Sequence, residues 1–190
     1  LAFGLQRFAR PGGIFGQLGP RLGYQRPGLA PGILNGRGLF FPPAAAGLFS
    51  PGGRTAQRRL ERGIRERDAR AFVEGAAGLI GLGEGLTPAG DDCLVGALAV
   101  LSRHAATWLA EHPEVRTALA SASERGTTTL GREFLLYALG GSFSEAILRL
   151  MQARSAAQAV ERIEDLGRMG ASSGADTLWG MRLAMEALSQ

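Results

Sequence analysis

Lysine is absent from this 190-residue chain: all 21 basic residues are Arg, alongside one Cys and two His. A single Cys excludes an intrachain disulfide framework and any Cys-based zinc site, and it fits a reducing, cytoplasmic compartment. With only His104 and His112, neither a paired-His metal spacing nor a Ser-His-Asp constellation can be assembled. The lack of Lys after the glycine-rich stretch excludes a Walker-type phosphate loop. Long apolar runs are missing too. The longest, Cys93 to Leu101, is far short of the roughly 20 residues that span a bilayer. The sequence opens on Leu1 without a Met and without a signal-peptide pattern, so a processed or incomplete start is expected.

Acidic residues are absent from residues 1–53, which hold 13 of the 29 Gly, seven of the nine Pro and five Arg. Short apolar pieces (Leu1-Ala2-Phe3, Ile14-Phe15, Leu39-Phe40-Phe41) lie between turn signals such as Pro11-Gly12-Gly13 and Asn35-Gly36. That pattern predicts short strands and tight turns, a small β-type region that is itself incomplete. The net charge of +4 divides unevenly: residues 1–70 carry +9 and residues 71–190 carry −5. No aromatic-interleaved basic motif accompanies the positive part, which argues against nucleic acid. A basic segment docking on an acidic partner surface, or on the chain's own acidic part, accounts for the balance better.

From residue 54 the pattern turns helical. Opposite charges at Glu61–Arg65, Arg62–Glu66 and Glu66–Arg70 predict a helix over 54–70, and a second is expected over 69–80, ended by glycines. A third runs from Thr87 to before Pro113, with Leu94, Leu98, Leu101, Trp108 and Leu109 on a wide apolar face. Further helices are expected at about 114–124, 129–139, 144–154, 156–168 and 174–188. Ser142-x-x-Glu145 and Ser155-x-x-Gln158 fit the capping-box pattern. The expected fold class is α+β: a mainly α-helical bundle over 54–190 preceded by the Gly/Pro-rich β-type region over 1–53.

The stretch Gly81-Leu-Gly-Glu-Gly-Leu-Thr-Pro-Ala-Gly-Asp-Asp-Cys-Leu-Val-Gly96 carries the most chemistry. Its glycines permit backbone conformations that side chains block, Thr87 can cap the next helix, and Pro88 suits its first turn. Asp91 and Asp92 then enter an apolar helix. Aspartates at a helix N-terminus are favourable without any function, but buried carboxylates need a cation or donors. Helix-start N–H groups favour anions, which the aspartates repel. A divalent cation bridging Asp91 or Asp92 to a phosphate resolves the conflict, as does an anion held only by the loop amides of residues 83–87.

A second segment echoes the first at an offset of 84 residues. Gly90-Asp-Asp-Cys-Leu-Val-Gly96 aligns with Gly174-Ala-Asp-Thr-Leu-Trp-Gly180. Gly96 and Gly180 each fall inside a helix, where Gly costs about 1 kcal/mol relative to Ala, and close helix–helix or helix–ligand contact would justify that cost. The two helix starts are therefore expected to converge, with Asp92 facing Asp176. The competing explanation is that Ser173-x-x-Asp176 is an acidic capping box. Thr127-Thr128-Thr129 sits before another helix, where its hydroxyls either join the site or cap. Cys93 is better read as a buried small residue than as an activated thiol.

These residues resemble the AllH family, associated with oxamate carbamoyltransferase. The resemblance rests on Gly81 through Asp92 with Leu94 and Gly96, then Thr128, Ala138-Leu-Gly140 and Gly170 through Gly180. It covers roughly 60–185. It implies a subunit acting with two other proteins in purine (allantoin) degradation, transferring a carbamoyl group between oxalurate and phosphate to give oxamate and carbamoyl phosphate. The resemblance places Asp91, Asp92 and Asp176 around a ligand-binding loop without fixing which does chemistry. They are the candidate catalytic residues, and their carboxylates, on the residue pattern alone, are candidate ligands of a divalent cation such as Mg²⁺. Gly83, Gly85, Thr87, Gly90, Thr128, Ser172, Ser173 and Gly174 are the candidate substrate-binding residues. Arg125 and Arg132 are candidates for the substrate carboxylate. The family commonly has a bulky apolar residue at the position of Cys93, which argues against a catalytic thiol, and a small hydroxyl residue at the position of Gly131.

Two other readings compete. The Asp pattern at two helix starts locally resembles the metal-binding segments of ADP-ribosylglycohydrolases, which would make the chain a metal-dependent hydrolase. Alternatively, the chain is a non-catalytic subunit that binds a small anion while chemistry occurs in a partner.

Overall fold

A computed structural model describes residues 44–190 in full and, before them, the backbone of three two-residue strands. These are β1 (Gln6–Arg7), β2 (Ile33–Leu34) and β3 (Phe40–Phe41). β2 pairs antiparallel with β3, and β1 pairs antiparallel with β4 (Ser142–Phe143). The expected strand at Phe40-Phe41 is thus present. The apolar pieces at 1–3 and 14–15 and the turns at 11–13 and 35–36 lie outside the described residues.

The rest is mainly helical, as the sequence predicts. A 3₁₀ turn over Ala46–Phe49 leads into α1 (Pro51–Glu66), which starts three residues before the expected onset. Ser50 sets that start: its Oγ accepts from the Gly53 amide at 3.0 Å, and Pro51 occupies the first helical position, where a missing N–H costs nothing. The predicted 54–70 helix is cut short because Arg67 takes a left-handed conformation (φ 56°) and Asp68 caps α2 (Ala69–Ala77) by accepting from the Ala71 amide. Glu66 and Arg70 consequently sit on different helices, and Arg70 pairs with Glu74 instead.

The long helix expected from Thr87 to Pro113 is two: α3 (Ala89–His104) and α4 (Ala106–Glu111). Trp108 anchors the second by donating from Nε1 to the Arg67 carbonyl at 3.1 Å while packing edge-on against Phe72. Then come α5 (Pro113–Gly126), α6 (Thr129–Leu139), α7 (Glu145–Met151), α8 (Ala156–Gly167) and α9 (Ser173–Leu188). Ser155 caps α8 as expected. Ser142 does not cap α7: it belongs to β4, and Ser144 accepts from the Ile147 amide in its place. No helix among the described residues is long and apolar enough to cross a membrane.

The centre of the bundle is the crossing of α3 and α9. Every residue of α3 from Ala89 to Leu101 is buried, as expected of a helix surrounded by others rather than lying on a surface. The crossing uses the two glycines of the repeated segment. A Cβ on Gly96 would lie 2.0 Å from the Thr177 carbonyl oxygen, and one on Gly180 would lie 1.8 Å from the Cys93 carbonyl oxygen. Cys93 and Thr177 are themselves equivalent positions of the repeat, so the contact is reciprocal. The 84-residue echo is the trace of a locally two-fold helix crossing, and Gly at both positions lets the backbones touch.

Candidate functional site

Glycine governs the approach to α3. Gly81, Gly83 and Gly85 all have positive φ (72°, 117° and 95°), a region that non-glycine residues reach only at a cost. Gly83 also packs so tightly that a Cβ would lie 2.9 Å from the Ala89 nitrogen, whereas Gly85 faces open space. The loop carries Leu86 outward, 75% exposed. Beside Leu86 it is tied back where Thr128 Oγ1 donates to the Leu86 carbonyl at 2.5 Å. The same Thr128 hydroxyl caps α6 by accepting from the Gly131 amide.

Thr87 does not cap α3. Pro88 occupies the cap position, and no side chain bonds to the first-turn amides. The Thr87 hydroxyl lies instead 2.8 Å from the Ser173 hydroxyl at the start of α9, so the two helix starts meet as the repeat implied. Ser172 precedes α9 without capping it through its side chain, and Asp176 is not half of a capping box: its Oδ1 accepts from the Ala45 amide at 2.6 Å. That bond draws the 3₁₀ turn onto the bundle, where Leu48 is fully buried.

The three aspartates are 1% (Asp91), 6% (Asp92) and 0% (Asp176) exposed, and their surroundings differ. Asp91 is fully engaged. Its Oδ1 accepts from the Gly81 amide at 2.8 Å and its Oδ2 from the Thr127 hydroxyl. Burial raises its pKa, and these two bonds oppose the rise. Asp92 and Asp176 each keep a buried Oδ2 with no hydrogen-bond partner. Burial is the largest cause lifting the Asp92 carboxyl to about 7. The Ser173 and Thr87 hydroxyls pull it down, and the nearby Asp176 and Asp91 charges push it up. Asp176 is raised by burial and lowered by the Ala45 amide and the Ser172 hydroxyl.

The expected trio therefore resolves into one clasp and one pair. Asp91 fastens the glycine loop to the Thr127 turn, while Asp92 and Asp176 share the space between the two helix starts. No group of three or more His, Cys, Asp or Glu side chains is placed to hold a metal ion among the described residues. Asp91 is thereby removed as a third metal ligand. Gly131 also finds its reason here: a Cβ would lie 2.2 Å from Asp91 Oδ2 and 2.8 Å from Thr127 Oγ1. A hydroxyl residue at this position would collide with the clasp as it is built in this chain.

Helix-start amides do not supply the anion cradle that the sequence suggested. Gly90 donates to the Leu82 carbonyl, Asp91 and Asp92 to Pro88, Gly174 to Met169, and Asp176 to Ser172. Gly90 and Gly174 are packing positions, whose added Cβ atoms would lie 1.9 and 1.8 Å from the Leu79 and Leu166 carbonyl oxygens. Of the other residues considered, Arg132 pairs with the adjacent Glu133 and keeps a buried Nε without a partner. Cys93 is fully buried, and burial drives its thiol pKa up, which leaves it unreactive. A separate cleft lined by Ser102, Arg116, Tyr137 and Ser142 lies toward the opposite end of α3; nothing in the sequence pattern marked it.

Residues 79–185 match the family model of oxamate carbamoyltransferase subunit AllH. The chain belongs to the AllH family. The matched span contains both helix starts, the glycine loop and the Thr127–Gly131 turn, so every part of the candidate site just described lies inside it except Ala45. No curated protein and no solved structure matches. Family membership points to a subunit of an oxamate carbamoyltransferase.

Proposed function

We propose that this AllH-family chain contributes the site between α3 and α9 to an assembled enzyme. That enzyme transfers a carbamoyl group between oxalurate and phosphate on one side and oxamate and carbamoyl phosphate on the other, in the cytoplasmic degradation of purines. The observation that carries the reading is the Thr87–Ser173 contact. It joins two segments 86 residues apart, both inside the family match, over a pair of buried carboxylates.

In this reading Asp92 and Asp176, with Thr87, Ser172 and Ser173, orient the substrate beneath the loop of residues 81–87. Gly85, with open space beside its backbone, and Leu86, mostly exposed, are where a substrate or a partner subunit makes first contact. Small oxyanions need a positive or donor-rich receptor, and here the acceptors outnumber the donors. The anionic part of the substrate must then be met by an additional cation, whether an Arg or a metal ion.

The test is to assay carbamoyl phosphate formation from oxalurate and phosphate, with the chain alone and with its partner subunits. Activity is expected only in the assembly, and Asp92→Ala is expected to abolish it. Full activity of the assembly carrying Asp92→Ala defeats the site assignment. A non-catalytic, ligand-binding subunit is the second reading, favoured by the complete burial of Asp176. It requires that Asp92→Ala change the apparent KM for a small anion while kcat stays. The two-metal hydrolase reading has no three-carboxylate group to rest on among the described residues.

A further inference from the structure

We propose that Asp92 and Asp176 together bind one divalent cation of the Mg²⁺ class at the meeting point of α3 and α9. Both carboxylates are more than nine-tenths buried, and each has one oxygen that is out of solvent and without a donor. Buried carboxylates left in that state are costly, and Asp92 lies close enough to Asp176 to feel its charge. Among the described residues, the charges that act on Asp92 are Asp176 and Asp91, both repulsive, and no basic side chain pairs with either carboxyl. Arg182, on the same helix as Asp176, pairs with Glu186 at 2.8 Å.

Helix dipoles offset only part of this charge. The starts of α3 and α9 each contribute about half a positive charge, against two carboxylates, leaving about one negative charge. A dication closes that balance with the hard oxygen ligands it prefers. The available donors are Asp92 Oδ2, Asp176 Oδ2 and the Thr87 and Ser173 hydroxyls. Mg²⁺ is commonly held by one or two carboxylates with water or substrate oxygens completing its shell, so two carboxylates suffice and Asp91 is not needed. The added charge leaves the site at about one positive unit, the sign an oxyanion requires. That last consequence rests on the carbamoyl-transfer reading; the binding itself does not.

The experiment titrates the EDTA-treated full chain with MgCl₂ and with MnCl₂, followed by calorimetry, by thermal melting and by the electron paramagnetic resonance of Mn²⁺. One cation per chain and a raised Tm are expected. Asp92→Asn and Asp176→Asn are each expected to weaken binding by about tenfold or more, and Asp91→Asn by less than about twofold. Circular dichroism of the metal-free variants confirms folding, since an Asn amide fits the same space. Exposed Asp165→Asn on α8 serves as the control and is expected to bind like the parent. The proposal is overturned by any of three results. The first is no heat and no change in Tm up to about 10 mM of either metal, well above weak protein sites. The second is binding retained in the Asp92→Asn/Asp176→Asn double variant. The third is an equal loss of binding in Asp91→Asn.

Discussion

Replacing Asp92 by Asn in the metal-free chain should change how stability depends on pH. The carboxyl titrates near 7 in the folded protein, against 3.8 for an ordinary Asp, chiefly because burial penalises its charged form. A group whose acid form is favoured by folding binds more protons folded than unfolded between those two values. Stability therefore falls as pH rises through that window and is level above it. The difference is about three powers of ten in proton affinity, at about 1.4 kcal/mol each, so the whole effect is on the order of 4 kcal/mol. Asn has nearly the same shape, carries no charge, and brings an amide donor within reach of a carboxylate that has an unpartnered oxygen.

Urea denaturation in EDTA from pH 4 to pH 8 measures this directly. The quantity to follow is the stability of the parent minus that of Asp92→Asn, because Asp91, Asp176 and Glu61 are also raised and contribute slopes of the same sign. That difference should decline by on the order of 4 kcal/mol between about pH 4 and pH 7 and then flatten. Saturating Mg²⁺ should remove most of the decline, since a bound dication favours the ionised pair. A difference that stays constant, or that grows with pH, would refute the claim that Asp92 is buried without a compensating charge.

The other predictions concern packing and exposure. Gly180→Ala places a methyl 1.8 Å from the Cys93 carbonyl oxygen. It should destabilise by about 3 kcal/mol or more in urea melts, since backbone cannot step aside as a side chain can. Gly131→Ala intrudes on Asp91 and Thr127; it should speed amide exchange across residues 81–87 with a smaller global loss of about 1–2 kcal/mol. Glu145→Gln breaks an exposed pair with Arg149, so its melting curve should shift by less than about 0.5 kcal/mol.

What the sequence revealed and what it hid differ by the range of the interactions involved. Helices with amphipathic faces and caps such as Ser155 are written within a dozen residues and mostly form near their expected places. The break at Arg67, the split at Ala105 and the cap at Ser144 rather than Ser142 are not legible locally. The meeting of the α3 and α9 starts is legible only because the crossing is locally symmetric, so that the same Gly-x-Asp-x-Leu-x-Gly pattern is needed twice. Asp91's attachment left no comparable trace. Its partners, Gly81 and Thr127, come from two different connections, and Gly131, the residue that makes room for them, reads as an anomaly until the carboxylate is seen beside it. Likewise nothing near Asp176 announces Ala45, which lies 131 residues away. Local rules place Thr87 well for a cap, but the tertiary contact with Ser173 takes its hydroxyl.

That last substitution decides what the site can recognise. Had Thr87 and Ser172 capped their helices, the carboxylates would have been incidental N-terminal acids, neutralised by dipoles and exposed to water. Instead the amides of both first turns are largely spent on nearby carbonyls, the Thr87 hydroxyl meets that of Ser173 beside Asp92, and the Ser172 hydroxyl meets Asp176. What remains unsatisfied among the described residues is two buried carboxylate oxygens, which on the proposal above receive positive charge. A chain in a family named for handling oxamate, a small anion, thus presents its most distinctive buried feature with the opposite sign to its expected ligand. The two facts are compatible if a cation stands between them. The sign of the first ligand to bind, measured with the chain alone, separates that arrangement from a simple anion pocket: divalent metal should bind without oxamate, and oxamate should not bind without metal.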